Sequence, residues 1–406
     1  MPNNDYRLKN IYLPQMDGFR GLFCIFIIII HHHFTYANVP ISLGYFGMHG
    51  FFILSSFLIT RGLLIDKKKT GSFKTYYIKF YIKRILRIFP VYFFYLFFAV
   101  AAGLLTSDRL GNYFLGIYYE LRHFGWMLIT FTYNFKDLYC IYSGYIYNKS
   151  TVFSHLWSLS LEEQFYFIVP FMVYFMSEKA LKGLTVAMIL VFPLIRIVGF
   201  QWLTSLTDDV MQQSFIFYRN TFFQYDAFFY GTFLALFPVS LSNKQAYGIF
   251  YFLLAIFVLA IPVNGWIIHQ HSGQNIFYII THYDFMTRNG QYIYIDTLFN
   301  LLCTVFFYLC FTNEDSFPIF KKKFFVEVGG KMTYSTYVYQ YIFIIPTLFI
   351  TFPFCKNVLH WPAPLAELLT LILSVSAALL TSYFSYNTME TYFLSKKQKY
   401  LSKYKS

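Results

Sequence analysis

The chain has 406 residues, 57% of them hydrophobic, 24% aromatic and only 13% charged, with 53 Phe and 38 Tyr. A soluble domain carries about 25% charged residues, and several apolar stretches here are long enough to cross a bilayer, so a soluble globular class is excluded. The net charge of +13 does not signal nucleic acid, because the basic residues concentrate in short segments between apolar runs, which is how membrane topology is written.

Ten apolar runs follow in order: 19–37, 45–65, 88–106, 157–177, 183–203, 216–238, 246–268, 291–312, 332–352 and 364–388. They predict an all-α polytopic membrane protein with about ten transmembrane helices. The segments 1–20, 61–87, 178–182, 243–245, 313–331 and 389–406 hold 24 of the 32 Lys and Arg. The positive-inside rule then places both termini in the cytoplasm, with odd-numbered spans running outward and even-numbered spans returning. Residues 107–156 read as an outer-face segment, partly amphipathic or re-entrant, and a pair of extra crossings there would keep the parity. The amino terminus has no small-residue cleavage site, so the first span is expected to stay as a signal anchor. A transmembrane domain over 1–390 and a basic cytoplasmic tail over 391–406 are expected. The tail's Lys396, Lys397, Lys399, Lys403 and Lys405 suit anionic membrane lipid. Cys24, Cys140, Cys303, Cys310 and Cys355 lack metal-ligand spacing, so no metal site is implied. Cys140 and Cys355 both fall outside the membrane, but free thiols are favoured over a bridge.

The first run opens with Met16-Asp17-Gly18-Phe19-Arg20-Gly21 and ends in His31-His32-His33. Eleven helical steps leave Arg20 and His31 within about 20° of one another and about 16 Å apart along the axis. His32 and His33 fall about 100° and 200° further round, so His31 alone keeps the arginine's face. Ionisable groups at membrane depth cost about 2.5 to 3.5 kcal/mol on insertion scales and are functional candidates by default. The plainer reading is an interfacial pair of Asp17 with Arg20 and a polar helix end. The second run carries Gly50-Phe51-Phe52-Ile53-Leu54-Ser55-Ser56-Phe57, whose small residues suit close helix packing and whose hydroxyls need partners in lipid.

The densest basic loop ends in Arg84-Ile85-Leu86-Arg87-Ile88-Phe89-Pro90. Arginines three apart are neighbours on one helix face, and two planar forks side by side suit a phosphate, although any cytoplasmic loop is basic. Proline at the start of the third span favours a shaped site. The fourth span begins His155-Leu156-Trp157-Ser158-Leu159-Ser160-Leu161-Glu162-Glu163-Gln164-Phe165-Tyr166. Two carboxylates in a hydrophobic helix need partners or a function, and Glu162 shares a face with Ser158 and Tyr166. Arg196, Arg219, Asp226 and the segment Gly329 to Gln340 are weaker polar marks that also read as helix-packing polar contacts.

Together these motifs resemble the integral-membrane acyltransferase 3 family. They are Asp-Gly-Phe-Arg-Gly with a histidine eleven residues after the arginine, the Ser55-Ser56 span, Arg84-x-x-Arg87-x-x-Pro90, and Leu156-Trp157 through Tyr166. The resemblance implies an enzyme of the bacterial cytoplasmic (inner) membrane that moves an acyl group, usually acetyl, from cytoplasmic acyl-CoA to a hydroxyl of a surface carbohydrate. It implies His31, Arg20 and Glu162 as catalytic residues and Arg84 and Arg87 as the CoA-side arginines. Asp17, Ser55, Trp157, Ser160 and Tyr166 are then candidates for substrate binding. Glu162 would hold the tautomer of His31, which acts either as general base or as acyl carrier. The chain departs from the family's frequent residues at Ser56 in place of glycine, Gln224 in place of arginine and Gln340 in place of histidine. A carrier or flippase for lipid-linked sugars would explain the spans and the buried charge, but not an arginine pair beside a deep histidine. A subunit without chemistry would leave His31 and Glu162 idle.

Overall fold

The computed structural model describes residues 14–32, 44–106, 112–145, 152–276, 279, 290, 292–313 and 315–404. Among these, all the regular elements are helices. They are α1 (Pro14–His31), α2 (Gly44–Lys69), α3 (Phe73–Thr106), α4 (Asn112–Ile129), α5 (Lys136–Ser143), α6 (Trp157–Phe175) and α7 (Glu178–Leu206). Then come α8 (Val210–Arg219), α9 (Thr221–Gln224), α10 (Asp226–Leu236), α11 (Asn243–Ser272) and α12 (Tyr292–Thr312). Two long helices finish the chain, α13 (Lys323–Val358) and α14 (Ala363–Ser402), each interrupted by π-helical turns such as Val328–Met332 and Tyr386–Glu390.

Eight of these, α1, α2, α3, α7, α11, α12, α13 and α14, are long and apolar enough to cross a membrane. Their pattern of burial is that of a protein in lipid. On α7, Leu190, Leu194 and Val198 are exposed while Arg196 is fully buried, and on α11 Phe252, Leu259 and Trp266 are exposed while Asn264 is buried. Apolar side chains outward and polar ones inward are what a hydrocarbon solvent selects. The protein is an integral membrane protein.

Several boundaries differ from expectation. The first apolar run covers 19–37, but α1 begins at Pro14, so His31 ends the helix; residues 33–37 lie outside the described part. The third apolar run begins at 88, but α3 is a 34-residue helix from Phe73, which puts Arg84, Arg87 and Pro90 in its interior rather than at its start. The sixth, 216–238, is not one helix. Asn220 leaves the helical region and its side chain caps α9 by accepting from the Phe222 amide at 2.9 Å. The carbonyl of Phe223, near the break, accepts from Arg196 Nε at 2.8 Å, which satisfies a group that lipid could not. Within 107–156, α4 packs on α3, and buried Glu120 pairs with Lys136 of α5 and accepts from Tyr133. Residues 391–402 continue the last helix and lie against α3. The five cysteines are buried and unbridged.

Helix directions follow from side-chain pairs. Asp17, Cys24 and His31, one every seven residues on α1, meet Gly330, Thr333 and Gln340 of α13, so α1 and α13 run parallel. Tyr334 reaches Ile88 and Tyr339 packs on Tyr95, so α3 runs the same way. Phe52 packs on Trp157, Ser55 bonds Tyr166 and Lys67 bonds the Val173 carbonyl, so α2 and α6 are parallel to one another.

The α1 glycines are two of the five residues of the Asp-Gly-Phe-Arg-Gly pattern, and packing explains both. A Cβ at Gly18 or Gly21 would run into the backbone carbonyls of Phe320 and Phe325, and one at Gly329 would strike the carbonyl of Asp17. Helix backbones in contact at this range admit no side chain. Gly21→Ala is therefore expected to lower stability by about 1–3 kcal/mol, read as an earlier thermal transition in detergent. Ser56, where glycine was expected, fits because Gly231 of α10 stands opposite it.

Candidate active site

The helices α1, α2, α3, α6 and α13 leave a pocket between them. It is lined by Arg20, Ser55, Arg84, Arg87, Ser158, Glu162, Tyr166, Thr333, Tyr334 and Tyr337, with Met48, Phe51, Ile88 and Leu159 as its apolar part. Residues separated by more than 300 positions in sequence therefore meet in one place. Of the ten expected site residues, six line it: Arg20, Ser55, Arg84, Arg87, Glu162 and Tyr166.

The lining has a definite electrostatic character. Three guanidinium groups face one carboxylate among the lining residues, which leaves an excess of positive charge suited to an anionic ligand. Arg20 also bonds Asp17 Oδ1 at 3.3 Å, so the plainer ion-pair reading of those two residues holds alongside the pocket role of the arginine. Arg84 lies over the Tyr166 ring, 4.8 Å from its centroid, which orients the fork by cation–π attraction. Tyr166 donates its hydroxyl proton to Glu162 Oε2 at 2.8 Å, so Ser55 Oγ must be the donor in its 2.9 Å contact with the Tyr166 oxygen. The result is a directed chain from Ser55 through Tyr166 to Glu162.

The other four expected residues lie elsewhere. His31 meets Gln340, with its Nδ1 3.0 Å from Oε1, and packs on Tyr341 at 5.0 Å between ring centroids. Asp17 faces Gly330, Trp157 packs between Phe52 and Tyr218, and Ser160 donates back to the Leu156 carbonyl at 3.3 Å. Glu162, expected to hold the His31 ring, is bonded to Tyr166 instead, because it sits on the pocket side of α6.

The pocket and His31 are joined by one face of α13. Thr333, Tyr334 and Tyr337 line the pocket, and Gln340 and Tyr341, one turn on, touch His31. Tyr337 donates to the His155 carbonyl at 2.7 Å and its hydroxyl lies 2.6 Å from Ser158 Oγ, which locks α13 to the start of α6. Sequence reasoning named this segment but gave it only a packing role. Polar and aromatic residues at 333, 334, 337, 340 and 341 repeat at helical spacing within an apolar run, and that stripe was the available signal.

Residues 13–384 match the acyltransferase domain family, which is nearly the whole described chain. The chain belongs to the acyltransferase 3 family. It is 28% identical over 169 residues to the peptidoglycan O-acetyltransferase OatA of Listeria monocytogenes, covering 40% of this chain and 24% of that protein. It is 27% identical over 173 residues to the O-acetyltransferase OatA of Staphylococcus aureus, covering 41% of this chain and 26% of that protein. The chain thus spans about a quarter of the length of the curated relatives it matches. No solved structure matches it.

A second buried polar cluster lies among α2, α7, α10 and α12. Arg196 pairs with Asp226, bonds Thr297 Oγ1 at 3.1 Å and lies 4.0 Å from Asp296. His49 Nδ1 is 2.8 Å from Asn300 Oδ1, and its Nε2 lies 3.9 Å from Asp296. Gln224, where the family pattern has arginine, donates to Asp296 Oδ2 at 3.2 Å and to the Phe217 carbonyl at 2.9 Å. The guanidinium that Asp226 lacks from position 224 arrives from α7 as Arg196. Among the described residues no group of His, Cys, Asp or Glu is arranged to hold a metal ion.

Proposed function

We propose that this protein is an O-acetyltransferase that takes an acyl group, most simply acetyl, from acyl-CoA and delivers it to a hydroxyl of a cell-envelope carbohydrate. The reading rests on one arrangement above all: Arg20, Arg84 and Arg87 gathered in a pocket whose α13 wall continues to His31. The arginine forks bind the phosphates of CoA from the basic, cytoplasmic side, and the pantetheine arm places the thioester toward His31. At His31 the imidazole either takes the proton of the acceptor hydroxyl or takes the acyl group itself. In either case the carbonyl carbon gains a bond to the new nucleophile, the C–S bond breaks, and the CoA thiolate leaves and is protonated. The Ser55–Tyr166–Glu162 chain lines the same pocket and holds the Tyr166 ring against the Arg84 fork. The names of the two relatives, both O-acetyltransferases, support acetyl as the group moved. The one that names peptidoglycan supports a carbohydrate acceptor. Both termini are assigned to the cytoplasm and the protein to the bacterial inner membrane.

The test is binding of CoA by the Arg84→Ala/Arg87→Ala double variant in detergent or nanodiscs. Charge-assisted hydrogen bonds contribute about 1.5–3 kcal/mol each, so affinity is expected to fall by at least about tenfold. Unchanged affinity would remove the phosphate role from these arginines.

A further inference from the structure

The side chain that addresses His31 is an amide, and an amide has two different ends. Gln340 Nε2 donates to the backbone carbonyl of Tyr337 at 2.9 Å. A carbonyl can only accept, so the opposite orientation would set two oxygens against each other, and the amide is fixed with Oε1 toward His31. Oε1 is itself only an acceptor. The imidazole nitrogen 3.0 Å from it, Nδ1, must therefore carry the proton, and in the neutral ring Nε2 then holds the lone pair.

The neighbouring histidine is held the opposite way. His155 places Nε2 2.9 Å from the Val338 carbonyl, so Nε2 must be its protonated nitrogen. The two imidazoles flank the same Tyr341 ring, with centroids 5.0 Å away for His31 and 4.7 Å for His155. Two residues of α13, Val338 and Gln340, stand three and one positions before Tyr341, and they set two histidines in different tautomers. Gln340 is fully buried, so water does not compete for its amide.

We propose that Gln340 is a positioning residue for the acyl-transfer reaction. By accepting from Nδ1–H it fixes His31 in the tautomer that presents a basic Nε2 to the acceptor hydroxyl or to the thioester carbon. The inference rests on His31 being the reacting group, and it adds the residue that makes Nε2 the reacting nitrogen. His155, committed through Nε2 to a backbone carbonyl, cannot take that part.

The experiment has two arms. In protein labelled with 15N-histidine, the ring signals absent from a His31→Ala sample belong to His31. They are expected to show a protonated Nδ1 and an unprotonated Nε2; the reverse pattern would overturn the proposal whatever the activity of the enzyme. In the second arm, Gln340→Met removes the acceptor at similar length, while Gln340→Glu keeps an oxygen there. Gln340→Met is expected to lower kcat at least tenfold with KM for acyl-CoA unchanged, and Gln340→Glu to recover most of that loss. Wild-type kcat in Gln340→Met, in a protein that His31→Ala inactivates, would overturn the positioning role and leave the catalytic reading intact. Activity retained by His31→Ala would instead sink the catalytic reading, and the 15N spectrum would still report on the contact itself.

Discussion

His31→Ala is expected to lower acyl transfer by at least about 100-fold while CoA binding stays at the wild-type level. General acid–base groups contribute about 10²–10⁴-fold, and a group that also carries the acyl chain contributes more. Binding is expected to survive because Arg20, Arg84 and Arg87, the groups proposed to hold CoA, line a pocket to which His31 does not contribute. The arginine double variant should behave in the reverse sense, with affinity lost first. The pair of variants therefore separates donor binding from chemistry. Equal loss of binding in both would mean that His31 acts on the fold of the pocket and not on the reaction. Steady-state kinetics with acyl-CoA and direct titration of CoA read the two quantities independently.

The second large effect is expected at Arg196. This guanidinium is fully buried, pairs with Asp226, and is the cation placed between Asp226 and Asp296. Arg196→Leu leaves both carboxylates without it. Removing one partner of a buried pair costs about 3–5 kcal/mol, because the remaining charge is stranded in a medium of low dielectric. The carbonyl of Phe223 at the break between α8 and α10 loses its donor in the same step. The expected result is a markedly lower thermal transition in detergent and poor accumulation in the membrane. Asp226→Asn in the same chain should restore part of the loss, since it removes one stranded charge. A melting temperature unchanged by Arg196→Leu would show that the cluster is solvated rather than closed.

Much of the fold could be read from patterning. Apolar runs located α2, α7, α11 and α12 to within several residues and fell inside the longer α13 and α14, because length and hydropathy alone decide whether a helix spans lipid. The single face shared by Arg20 and His31 is the face that meets α13, as the contacts of Asp17, Cys24 and His31 show. The break in the sixth run was not legible. Asn220 is an ordinary polar residue in sequence, and only the arrival of Arg196 from α7 makes an interrupted backbone tolerable there.

The site was legible where residues are close in sequence and opaque where they are not. Arg84 with Arg87, and Glu162 with Tyr166, sit one turn apart, and both pairs line the pocket. Gln340 is 309 positions from His31, so periodicity on α1 could not reveal it, and a carboxylate was expected in its place. Glycines at 18 and 21 make the same point from the other side. They read as part of a chemical motif and turn out to hold two backbones together.

The central claim is that this chain moves an acyl group onto carbohydrate. Its most direct test supplies labelled acetyl-CoA to bacterial membranes with and without the protein, and measures label released by mild alkali from the cell-envelope carbohydrate fraction. Ester-linked label that appears only with the protein, and disappears with His31→Ala, is the predicted result. Equal label with and without the protein would contradict it and favour a carrier that makes no bond.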